Sequence, residues 1–283
     1  ENSKGGTVAN VNANIKSDGD VNVKASNNLN LDKTNAQAVA GFGSLAGNVL
    51  VTNMKYNTSA SMQGDVTGKN ISVNANNTVK ANTTAYSASL SGVNFGGNVA
   101  YFTNDATTSA AINGGTIKGT NVAVNATSKD TTSVNSTGAS ISGANINATV
   151  ALTESNNKVS AAINNKVNIN ADKLDVIADN TSSLTSELAS LSASVISGQV
   201  VINKAESSAI TSAIVDATGT INAADMNVIT STGGISAKSI VNMGGVSLAG
   251  VDVTSQGAIV KAQFNSAIKG DAEIVNKNSD KTG

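Results

Sequence analysis

The chain of 283 residues carries 18 basic and 19 acidic side chains for a net charge of −1, with no proline, no cysteine and only 2% aromatic residues. Histidine, tryptophan and arginine are absent as well, so disulfides, thiolate nucleophiles, imidazole bases, His or Cys metal sites and guanidinium clamps are all excluded. The near-neutral, lysine-only charge balance offers neither a basic footprint for nucleic acid nor an acidic tail.

In chain order, Glu1 to Gly6 lack the basic and apolar regions of a secretion signal, and no window approaches 18 consecutive apolar residues, so no membrane insertion is expected. Alternation begins with Val8, Val11, Ala13 and Ile15, without an amphipathic helix ahead of it to cover an open core. The first strong strand is Val21-Asn22-Val23-Lys24-Ala25, with an apolar residue at every second position. Its pattern returns at Ile71, Val122, Leu174 and Met226, with spacings of 50, 51, 52 and 52 residues. A second marker, beginning at Ser59, Ser109, Ser160, Thr211 and Asn265 and ending in Met62, Ile112, Ile163, Ile214 and Ile268, keeps nearly the same time. Two unrelated motifs that share a period define an internal repeat of about 51 residues.

A third marker halves that interval. Polar doublets such as Thr58-Ser59, Thr83-Thr84, Thr107-Thr108, Thr131-Thr132 and Ser155-Asn156 recur every 24 or 25 residues. They predict a coil of about 25 residues, two coils per repeat and three short strands per coil, for example Asn70 to Ala75, Thr78 to Asn82 and Tyr86 to Leu90. Glycines such as Gly64, Gly68, Gly92, Gly96-Gly97, Gly114-Gly115 and Gly119 are expected at the corners, with asparagine supplying others, because both tolerate left-handed backbone angles. The fold predicted is all-β: a single right-handed parallel β-helix of about eleven coils. It spans 1–283 as one repeat domain, expected to be part of a much longer array. Val124 should stack in the core with Val73 and Val176. Leu184, Leu188 and Leu191 stand at helical spacing, but Leu174-Asp175-Val176 holds the strand register and the segment is read as strand and corner.

Four surface chemistries follow from the residue types. Asp18-Gly19-Asp20 and Asp271-Ala272-Glu273 pair carboxylates near turns but do not supply the five or more oxygens calcium prefers. Asp172, Asp175 and Asp179 form the densest acidic cluster, and Asp175 alternates outward between Leu174 and Val176 as a solvated residue does. The hydroxyl series is too irregular for a flat ice-binding array, since its interval slips to 27 once. The abundant asparagines read as turn formers and as amide stacks between coils, and Phe42, Tyr56, Tyr86, Phe95, Tyr101, Phe102 and Phe264 as core stacking. No residue is therefore assigned as catalytic, cofactor-binding or metal-ligating, and no enzyme activity or cofactor is expected.

The stretch from Tyr86 to Thr127 runs through a glycine-rich turn, an apolar strand, a short Asn/Thr corner, an SAAI strand and a G-x-N-V-A-V-N-A strand. In that order it resembles the repeats of filamentous-haemagglutinin-like exoproteins, especially leukotoxin-type filamentous adhesins of Gram-negative bacteria, and the resemblance recurs about five times along the chain. The resemblance implies an extracellular shaft displayed at the bacterial surface, exported with an outer-membrane secretion partner. It implies attachment to host cells, matrix or other bacteria by many weak contacts. Two other functions compete with it: an inert spacer that presents a distal adhesive or toxin module, and a cytotoxic fragment of such an exoprotein.

Overall fold

The structure, a computed structural model, describes residues 2–41, 45–271 and 273–276. Among these, eleven strands join one sheet: β1 (Asn2–Asn12), β2 (Ile15–Lys16), β3 (Val21–Ala40), β4 (Leu45–Gln63), β5 (Val66–Thr67), β6 (Asn70–Ile112), β7 (Gly115–Lys118), β8 (Asn121–Asn165), β9 (Val167–Ala217), β10 (Thr220–Lys269) and β11 (Glu273–Asn276). Every pairing is parallel. The architecture is an all-β parallel β-helix, in which each turn of chain lies on the one before it.

The register corrects the predicted coil. Val73 pairs with Val124, and Val124 with Val176, and across all ladders one rung takes 49 to 53 residues and not 25. The chain makes about five and a half rungs rather than eleven, and at ~4.8 Å between paired strands it rises about 25 Å. The 25-residue interval has a different origin. Asp130 and Ser155 hydrogen-bond at 2.5 Å, as do Ser182 and Ser207 at 3.0 Å, while Ser186 meets Asn203 and Ser190 meets Gln199. These pairs face each other across one flattened rung. The doublets mark opposite walls of the same coil.

Each rung therefore has two parts. The head is a compact loop around a dry core in which Val73, Val124 and Val176 stack with the rows Ile71, Val122 and Leu174 and Ala75, Ala126 and Ala178, all buried. The arm is a flat, two-walled extension. In the rung that starts at Val122 it runs out along residues 131–141 and back along 146–155, and a second, smaller apolar cluster that includes Phe102, Val134, Leu188 and Val201 fills the middle of the stacked arms.

Glycines break most of the strands at the head, and Gly41 follows the end of β3 at the arm's tip. Gly64 (φ 119°) and Gly114 (φ 114°) turn successive rungs at one corner, and Asn165 (φ 66°) is the one non-glycine residue with positive φ among the described residues. Gly92 and Gly96-Gly97, predicted as corners, lie inside β6, where the chain rounds the arm without leaving the ladder. Three-strand coils are accordingly replaced by long strands interrupted mainly at head corners. The second sequence marker also shifts. Ser160 pairs with Ser212 and Ile163 with Val215, so the fourth copy begins at Ser212, not Thr211, because Val215 is buried while Ile214 points outward. The predicted β-strand through Leu184, Leu188 and Leu191 is present within β9, with the first two buried and Leu191 exposed.

Candidate functional site: the arm and the groove at its base

Where the returning wall of the arm meets the head, the surface folds into a concave corner of about 790 Å³ that runs across successive rungs. Two outward rows line it: Lys55, Asp105, Asn156 and Ser208, and Asn57, Thr107, Lys158 and Ile210. Asn156 Nδ2 donates to Asp105 Oδ1 at 3.0 Å, which ties two rungs together on the groove floor. Amides, hydroxyls and two lysines converge there, so the groove can exchange hydrogen bonds with an extended polar ligand while Tyr56 supplies apolar floor.

Further out on the same wall, Tyr101 donates to Glu154 at 3.4 Å. Burial first, and then the Glu154 carboxylate, push the Tyr101 hydroxyl above its usual range. In the following rung Glu206 takes salt bridges from Lys204 and Lys261, each at 2.5 Å. Hydrogen bonds from both lysines hold its carboxyl below the ordinary glutamate range, and Lys204 is raised in return. Lys261 and Glu206 lie on neighbouring rungs, so the trio clips two turns of the solenoid.

The sequence-derived acidic candidates fall elsewhere. Asp20 lies on the head and accepts the Asn70 backbone N–H and side-chain amide at 3.2 and 2.7 Å, which makes it a link between rungs. Asp175 pairs with Lys173 at 2.8 Å and accepts from Asn227 at 2.9 Å. Asp172 donates its backbone N–H to the Thr120 carbonyl of the preceding rung, and Asp179 sits four positions along the strand from Asp175. Glu273 opens β11 and Asp271 lies in the preceding turn, while Ala272 lies outside the described residues. Among the described residues no three acidic, His or Cys side chains gather around a common point.

The structure adds two features. Asp130 is completely buried at the arm's base and accepts hydrogen bonds from Asn104 (2.9 Å), Ser155 (2.5 Å), Thr132 (2.9 Å) and Asn157 (3.5 Å). Four donors replace the hydration that a carboxylate loses on burial. The alternation of the pentads places Val122, Val124 and Ala126 inside, and continued along the strand it places Asp130 inside too; its charge was the only signal against that position.

The second feature is that the arm's outer half is turned inside out. In the rung that starts at Val122, Ser140, Asn145, Asn147 and Thr149 are buried, while Ile141 and Ile146 are 60% and 58% exposed. Neighbouring rungs repeat this, with Ser190, Ser192, Ser197 and Gln199 inside and Leu191, Val195, Ile196 and Val200 outside. The aromatic prediction is corrected here. Phe102 and Tyr56 are buried, but Tyr86, Phe95 and Phe264 are exposed, and Phe42 lies outside the described residues.

The predicted amide stacks are present. Asn27 and Asn77, Asn94 and Asn145, Asn70 and Asn121, Asn74 and Asn125, and Asn113 and Asn164 are hydrogen-bonded at 2.7 to 3.0 Å between rungs. No family model, curated protein or solved structure matches this chain.

Proposed function

We propose that the chain is a segment of the structural shaft of a secreted bacterial surface adhesin, which attaches to host cells, matrix or other bacteria by many similar weak contacts. The observation that carries this reading is the groove at the base of the arm, whose polar rows recur with every rung because each residue stacks on its counterpart about 51 positions earlier. A ligand lying along the groove meets Lys55, Asp105, Asn156 and Ser208 in succession. The effective concentration at each further contact rises once the first is made. The bacterial, extracellular setting and the outer-membrane secretion partner rest on the resemblance of the repeats to filamentous adhesins.

The purified chain, coated on beads and also used as free protein, is tested on host cells, matrix proteins and bacteria. Beads are expected to bind where free protein washes off, and Lys55→Ala/Lys158→Ala beads to lose most of that binding. Loss of binding in both formats would favour a spacer that carries a distal module, and lysis of the cells would favour a cytotoxic fragment.

A further inference from the structure

The returning wall of the arm presents an apolar sheet face to solvent, and the sequence keeps charge away from it. Residues 34–54, 81–104, 131–153, 188–203 and 239–251 contain no charged residue, although 13% of the chain is charged. The described residues of all five stretches map to arms, one above another in the ladder. On the outer side of the returning wall, Val49, Val99, Val150 and Ile202 form one vertical row, since each pairs with the next. Phe95 and Ile146 form another row on the same face, with the Gly97–Ala148 row between the two.

This arrangement is costly in an isolated chain. A slip of one residue would bury Ile146 and Val150 and expose Asn145, Asn147 and Thr149, as the hydrophobic effect favours. The head stack forbids the slip because Val124 and its neighbours already fix the register. What the register cannot bury within one molecule can be covered by another surface.

We infer that this wall packs face to face against the same wall of a second copy of the chain, joining two shafts side by side. The face is flat and charge-free, and its rungs are spaced identically in both copies, so an isologous sheet-on-sheet contact meets no like-charge repulsion and no mismatch of period. Val49 is 72%, Phe95 48%, Ile146 58%, Val200 43% and Ile202 38% exposed, so the wall offers several large apolar side chains towards the ~800 Å² that one partner contributes to a standard stable interface. The outgoing wall is different. Near the head its outward residues Ser133, Asn135 and Thr137, and Thr185 in the next rung, are polar, while Leu90, Ile141 and Leu191 are exposed towards its tip.

Sedimentation of the full chain across a hundredfold concentration range tests the inference. The wild type is expected to sediment as a dimer, and Ile146→Lys and Ala148→Lys as monomers with an unchanged melting temperature, because both positions are exposed. Ser133→Lys, on the opposite wall, should leave the dimer intact. A wild type that stays monomeric throughout overturns the proposal, as does a dimer that survives both folded returning-wall variants or is broken by Ser133→Lys. Flotation of wild-type monomer with neutral phosphatidylcholine vesicles would replace it with a lipid-facing arm.

Discussion

Val124 is fully buried between Val73 and Val176, and the row has no polar partner for a charge. Val124→Asp should therefore cost several kcal/mol, enough to unfold the neighbouring rungs, read as a loss of cooperative melting by circular dichroism. Backbone conformation is just as constraining at the head corner. Gly115 has φ 100°, and a Cβ there would overlap the Gly64 carbonyl oxygen of the rung below, so Gly115→Ala should destabilise by roughly 1 to 3 kcal/mol. Gly92→Ala is the internal comparison, because its Cβ would meet no atom within 4 Å. A melting shift of the same size for both alanines would contradict the assignment of tight corners to the head and loose ones to the arm's tip.

At the scale of elements, β9 and β10 are held together outside the ladder by Lys204, Glu206 and Lys261. The Glu206 carboxyl is lowered in the folded chain. Its contribution is thus complete above the unfolded glutamate value of ~4.3 and is lost as pH falls through the lowered folded value. Lys204 is raised, so its share is complete below the ordinary lysine range and is lost as pH rises through the raised value. Glu206→Gln should cost about 1 kcal/mol or less at neutral pH, as partly exposed pairs do, and should flatten the acid side of the stability curve below pH ~4.3. Thermal melts of both proteins from pH 2 to 8 would show it, and parallel curves would remove Glu206 from the account. The same strands show how far the sequence was legible. Head residues announce themselves, since Val122, Val124 and Ala126 alternate with polar neighbours and bury the apolar side. Arm residues alternate just as cleanly, but period alone does not say which side is inside. Ser140 and Asn145 face inward because the head has already set the register, a long-range cause that no local window contains. The groove was hidden for a related reason: Lys55, Asp105, Asn156 and Ser208 meet only when the rung length is 50 to 52 residues, and the doublets suggested half of that.

For the whole molecule, the rung length decides which pieces can be removed. In a solenoid each turn contacts only its neighbours, and stability is a sum of repeat and interface contributions. Val122 pairs with Leu174, so deleting residues 122–173 brings Asn121 against Leu174 with every row of the head and arm still aligned. The shortened chain is expected to keep its β-sheet circular dichroism and cooperative melting, and to lose about 4.8 Å of length in small-angle scattering. Deleting only 122–146 is the contrasting case. It would place the arm's returning wall where the valine stack belongs, setting Asn147 and Thr149 into the dry core and leaving the Asp130 site without its carboxylate. That chain should lose cooperative unfolding. If instead the deletion of 25 residues were tolerated and that of 52 were not, the shorter coil would be restored and the facing walls of the arm would have to be two separate turns.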